Sequence, residues 1–294
     1  MRFASVMMCC FLAVACSEKK SVPADSDAFL PARPLAELKD NRLEEVSGLA
    51  ASAANPGLFW VLNDSNNPAE VYLLDESLNV RLTCRLAGVK NRDWEDLAVG
   101  VGPEEDEYYL YVADIGDNNA KRAFKYLYRF KEPSLEPGAT EKTISEFDTI
   151  IFRLEDGSKD TETIMIDPGT KNLYTVSKRE KPVYVYELRY PYSPGDTLTA
   201  VPVASLPLTQ IVAGTISHDG GELLLKNYKN IYFWKLEGKP VAEGLQARPE
   251  ILHYTEEPQG EAITFSLDGS GFYTLSEMVK GEKTFLNFYR RNER

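Results

Sequence analysis

From about Arg33 onward, short runs of Tyr, Val, Ile, Phe and Leu alternate with polar residues and are broken by Gly, Pro, Asn and Asp. A period of two with such punctuation predicts β-strands and almost no helix. The runs also recur. SGLAAS from Ser47, EDLAVG from Glu95, ETIMID from Glu162, VAGTIS from Val212 and EAITFS from Glu261 align as five copies of one small-residue strand. They are spaced by about 50 residues, and the longest interval is widened by the polar insertion LEPGATEKTISE. Each copy is followed by a second strand, ending in turn at Asp64, Asp114, Lys178, Lys226 and Glu277. A third strand follows every time (EVYLLD, KYLYRF, VYVYEL, IYFWKL, FLNFYR), and a fourth follows the first four copies (VRLTCRL, TIIFRL, AVPVASL, EILHY). ARPLAEL, ahead of the first copy, can supply the strand that the fifth copy lacks.

Four antiparallel strands repeated at this period predict an all-β fold, a β-propeller of five four-stranded blades, with six as the alternative if the insertion hides a degenerate blade. An N-terminal strand completing the last blade closes the ring and removes an open sheet edge. A β-sandwich would also alternate, but it does not predict five aligned copies. The aromatic residues of the third strands, among them Tyr126, Tyr128, Tyr184, Tyr186, Phe233 and Trp234, read as packing between blades, as do Trp60 and Trp94.

In an antiparallel hairpin, the start of the first strand and the end of the second lie at the same end. The residues opening the first strands (Ser47, Glu95, Glu162, Val212, Glu261) and those closing the second strands (Asp64, Asp114, Lys178, Lys226, Glu277) are therefore expected on one face, near the axis. Gathering charge at a narrow, partly dry axis is costly unless the groups pair or hold an ion. This makes Asp64, Arg92, Asp93, Glu95, Asp114, Glu162, Lys178, Arg179, Lys226, Glu261 and Glu277 candidate ligand-binding residues; the alternative is a wet tunnel in which Glu and Lys pair across blades. DIGDNN adds an oxygen-rich loop, and Asp114, Asp117 and Asn118 are candidate ligands for calcium, which takes six to eight oxygens. Glu95, Glu162 and Glu261 are the candidates for acid, base or ligand in any carboxylate chemistry.

The N-terminus and the charge set the context. MRFASVMMCCFLAVAC has one early Arg, a short apolar run and small residues before Cys16. The run is too short to span a bilayer and has the shape of an export signal. Ala13-Val14-Ala15-Cys16 resembles the lipobox of bacterial lipoproteins, with Ala13 in place of the usual Leu. The expected organisation is a signal peptide over 1–16 ending at lipidated Cys16, a flexible tether over 17–30 and a single propeller domain over 31–294. Loss of the signal and lipidation of Cys16 leave Cys84 alone, so no intrachain disulfide is available and the fold rests on its core. A net charge of −12 argues against nucleic acid as a partner.

His218 and His253 are the two histidines, and neither is placed for a triad or a zinc site. No HExxH, paired-Cys, GxSxG or phosphate-cradling Gly motif occurs. EAITFSLDGSGFYTLSE resembles the recurring hairpin of phytase-like and esterase-like secreted propellers (NHL and SdiA-regulated types), and DWEDLAVG with YVADIGDNNAKR is similar to a motif pair of bacterial secreted and lipoprotein propellers. The resemblance implies a secreted propeller with a calcium-dependent option. Ser47 and Val212 break the column of Glu that a full carboxylate ring would need. The expected protein is a monomer in the bacterial cell envelope, periplasmic or surface-exposed. It is held to the membrane by lipid and binds a small-molecule or protein ligand on its polar axial face, with calcium as candidate cofactor. A binding role is preferred to catalysis. The alternatives are a metal-assisted phosphoester or ester hydrolase and, third, a carboxylate glycoside hydrolase.

Overall fold

The computed structural model describes residues 25–193 and 195–293; the expected signal peptide 1–16 with Cys16, and residues 17–24 of the expected tether, lie outside the described residues. Among the described residues the strands form sheets of five, five, eight and four strands, the eight-stranded one being two four-stranded antiparallel units joined edge to edge, and each unit runs from the centre outward. The first strands are Val46–Ala51, Trp94–Val101, Thr161–Ile166, Ile211–Ile216 and Ala262–Phe265. Each packs against the next, and the last packs back against the first. The fold is a β-propeller.

Ring closure also shows in the core. Five apolar clusters lie between units, one for each neighbouring pair, including the pair formed by the last unit and the first. A ring has as many interfaces as units, whereas an open stack has one fewer. Trp60 and Trp94, both 0% exposed, pack between the first two units. The strand Arg33–Glu37 pairs antiparallel with Phe285–Arg290 and completes the last unit.

The insertion adds one edge strand: Glu141–Ile144 pairs parallel with Val80–Leu86 on the outside of the first unit. Asp148–Leu154 and Thr197–Leu206, the outer strands of the second and third units, pair parallel with each other and join the two sheets.

The expected tether is shorter than 17–30, because its last residues are built into the fold. Asp25–Ser26 pairs parallel with Glu250–Leu252. Phe29, 2% exposed, enters the cluster between the fourth and fifth units, with ring centroids 5.4 Å from Phe233 and 4.9 Å from Phe272. A lone aromatic at the end of a polar run has everything to gain from such a notch, since burying its ring contributes about 1.5–3 kcal/mol.

Candidate functional site: the axial carboxylate cup

The first strands share a defect that creates the site. Val46 faces Asn63 and Gly48 faces Leu62, so Ser47 is an extra residue outside the ladder. Glu95 is extra between Trp94 and Asp96, and Val212 between Ile211 and Ala213. In the third unit the slip falls between Thr161 and Ile164 and includes Glu162. A bulge of this kind re-aims the side chain of the unpaired residue. In four of the five units it falls on the opening position.

The ladder also fixes the closing positions. Asn63, Asp114, Ser177 and Asn227 face Val46, Trp94, Thr161 and Ile211, so the residues that follow them are Asp64, Ile115, Lys178 and Tyr228. The mouth bonds agree: the N–H groups of Asp64, Lys178 and Glu277 donate to the carbonyls of Glu45, Asp160 and Gln259 (2.8, 2.9 and 3.1 Å). Two positions therefore differ from those read in the sequence. Asp114 is one residue short of the closing position, and a one-residue step turns a strand side chain to the opposite face. It meets Arg92, whose Nε and Nη2 donate at 3.1 and 3.2 Å. Lys226 is two residues short of Tyr228 and lies at an interior position, 0% exposed. Its Nζ donates to the Gly260 carbonyl and sits 3.4 Å from Glu257 and 4.8 Å from the Tyr254 ring centroid. Lys226 is a packing lysine.

Five carboxylates converge where the first three units meet. Oxygens of Asp64, Asp93 and Glu95 lie within 4.8 Å of one another, and so do oxygens of Glu95, Asp160 and Glu162. Glu95 belongs to both groups. Most of the surrounding carboxylates have partners. Arg122 Nη1 donates to Asp93 at 2.7 Å, and Arg179 Nε lies 2.7 Å from Asp160. Lys178 Nζ lies 2.8 Å from Glu162 and 3.9 Å from Glu261, and the Tyr228 hydroxyl donates to Glu261. Among the described residues, no hydrogen bond or ion pair reaches the Glu95 carboxylate, although Glu95 is 4% exposed. Gly116 closes one side of the cup: a Cβ there would stand 1.9 Å from Glu95 Oε1 and 2.8 Å from Asp93 Oδ2.

The electrostatics follow from this crowding. Burial and then the carboxylates of Glu162, Asp64 and Asp93 push the Glu95 pKa well up. Burial, with Asp93, Glu261 and Glu45 nearby, raises Asp64 to about 6. Glu162 is raised to about 8 by burial, against the pull of Lys178. Glu277 is raised to about 9 by burial and by Glu261. Burial works against the Lys178 ammonium, but Glu162 and Glu261 outweigh it and hold its pKa above the ordinary value. Lys125, 2% exposed, donates to the Ile115 carbonyl and falls to about 8 through burial, opposed by Asp117, Asp160 and Glu95.

The remaining loop residues have structural roles. Asp117 donates its N–H to Asp160 Oδ1 (2.8 Å), and its Oδ2 accepts from the N–H of Arg122 (2.6 Å). Asn118 accepts from Arg179. Asp114 and Asp117 belong to neither group of three carboxylates, and the Asn118 amide oxygen is taken by Arg179. Asp96, buried beside the cup, accepts from the N–H groups of Leu97 and Ile164 and ties two first strands together. Farther along the axis lies a cavity of about 60 Å³ lined by Leu49, Val99, Ile164 and Ile263 together with Thr215, Thr264 and His218.

Sequence reasoning had not singled out Asp160, Tyr228, Arg122 or Lys125. Asp160 left a signal: Asp160-x-Glu162 repeats the spacing of Asp93-x-Glu95.

No protein-family model matches the chain, and no curated protein does. A solved structure similar to it is that of a protein from Thermus thermophilus described as a "putative oxidoreductase (glucose dehydrogenase)". The TM-score is 0.45 at 11% identity, covering 87% of this chain and 99% of that one. A likeness of that degree says nothing about activity.

Proposed function

We propose that the axial mouth binds a divalent cation between Asp64, Asp93 and Glu95, and through it a ligand, in a protein anchored by lipid to the bacterial envelope. The observation that carries this reading is Glu95: a buried carboxylate with no protein donor, set within 4.8 Å of four others. An isolated buried carboxylate is costly and is ordinarily neutralised by a proton, a partner or a metal. All the donors are oxygens, which favours calcium among the common divalent cations, and three carboxylates offer up to half or more of the ligands that calcium takes. The half-buried Asp64, Tyr228 and Glu277 rim the mouth and leave the remaining coordination positions to water or ligand.

Calcium titrated into the protein, followed by calorimetry and by the melting temperature, tests the proposal. Binding with an upward shift is expected; no heat and no shift at millimolar calcium would refute it.

A further inference from the structure

Glu95 stands between two groups of carboxylates, and each already touches cations of the protein's own: Arg122 Nη1 donates to Asp93 at 2.7 Å in the first, and in the second Arg179 Nε lies 2.7 Å from Asp160 while the flexible Lys178 ammonium holds Glu162. Lys178 Nζ is 2.8 Å from Glu162 Oε2 and has an alternative acceptor in Glu261 Oε1 at 3.9 Å. We propose that Glu95, Asp160 and Glu162 form a second divalent-cation position sharing Glu95 with the first, and that the Lys178 ammonium is its built-in competitor. This rests on reading the axial cup as a cation site.

Two observations beyond the acidity of the cluster support it. Glu95, 4% exposed, has no protein donor on the side of either group. Asp160 Oδ2 is buried and, apart from its 2.7 Å contact with Arg179 Nε, is met by no well-aligned hydrogen-bond donor. The Glu95 carboxylate is thus short of partners, as a ligand awaiting an ion would be, while Asp160 Oδ2 keeps one charged partner, Arg179.

The competition follows from charge. A dication ligated by Glu162 would lie close to the ammonium that now pairs with the same carboxylate, and like charges a few ångströms apart in a partly dry site repel strongly. Lys178 therefore has to release Glu162 and turn to Glu261, where Tyr228 now donates. The second position is the weaker of the two, and ligands that draw Lys178 away strengthen it. An anionic group at the mouth is such a ligand, because it offers the ammonium a replacement partner and the second cation an additional oxygen.

Calorimetric titration of calcium into the full chain, with circular dichroism as the check on folding, tests the proposal. Two classes of site are expected in the natural protein. Lys178→Met should tighten the weaker class about tenfold or more, and Asp160→Asn added to that variant should abolish the weaker class while the tighter one remains. Where Lys178→Met does not fold, Lys178→Gln, which keeps a donor for Glu162, takes its place. A weaker class unmoved by loss of Lys178, or one that persists without Asp160, overturns the proposal. A single class in both the natural protein and the lysine variant also overturns it, and leaves the first cation position standing. Absence of any calcium binding defeats the cation reading itself.

Discussion

Glu95→Gln separates a carboxylate that holds an ion from one that holds the fold. The substitution keeps the shape, and the new amide finds acceptors in the surrounding carboxylates. It removes one charge from a cluster in which Glu95 lies within 4.8 Å of Asp64, Asp93, Asp160 and Glu162. Two like charges at that distance repel by about 3 kcal/mol at an effective dielectric of about 20. Part of this is already relieved, because burial and the neighbouring carboxylates favour the protonated form of Glu95. A net gain of about 2 kcal/mol for the cation-free variant is a reasonable scale, equivalent to about 4–8 °C in melting temperature for a domain of this size. Calcium should reverse the order. At a free concentration 100 times its Kd, a cation that binds only the folded natural protein stabilises it by about 2.7 kcal/mol, and the variant should gain little. The assay is a pair of melts, in chelator and in millimolar calcium, for each protein. A variant that melts below the natural protein in chelator would refute the electrostatic reasoning, and one that keeps the full calcium shift would refute the ligand assignment.

Further outcomes follow from the same geometry. Gly116→Ala should abolish calcium binding in calorimetry and cost about 1–3 kcal/mol of stability in denaturant titration, since its Cβ would stand 1.9 Å from Glu95 Oε1. Asn118→Ala should leave calcium affinity within about twofold, because calcium ligands are oxygens brought to one point and the Asn118 amide oxygen is already taken by Arg179; a large loss in the same titration would return the metal to the rim loop. Asp64, Glu162 and Glu277 have folded pKa values raised to about 6, 8 and 9. An acid raised in the folded state contributes stability that is complete below its unfolded pKa and is lost as pH rises through the folded one. In chelator the melting temperature should therefore fall between about pH 5 and 9, while calcium affinity, which needs ionised ligands, should rise over the same range. A flat profile for both would contradict these assignments.

Much of the architecture could be read from the chain because the first strands are small, alternating and repeated, and closure of the ring only required noticing that ARPLAEL had no partner of its own. The register was not legible. A bulge adds one residue to the first strand without any change in composition, so matching the last charged residue of each second strand placed Asp114 and Lys226 where the ladder puts Ile115 and Tyr228. Glu95 and Glu162 fall at the bulges themselves, whereas Glu261 precedes a strand with a regular ladder. Arg122 and Lys125 were invisible for another reason: Arg122 folds back from a loop to Asp93, Lys125 opens the third strand and reaches the Ile115 carbonyl across the ladder, and no local pattern encodes either contact. Phe29 belonged to a run whose polarity suggested a tether, and only the notch between two units makes its ring informative.

The bulges have a wider consequence. A residue outside the ladder carries no pairing duty, so its side chain can change without disturbing the strands on either side. Ser47 and Val212 occupy the same kind of socket as Glu95 and are silent there, one donating its hydroxyl to the Trp94 carbonyl at 3.4 Å and the other 1% exposed. The frame of this propeller and the chemistry at its mouth are therefore separately writable: the same ring can be acidic, neutral or apolar at its centre, one substitution at a time, with the strands unaltered around it.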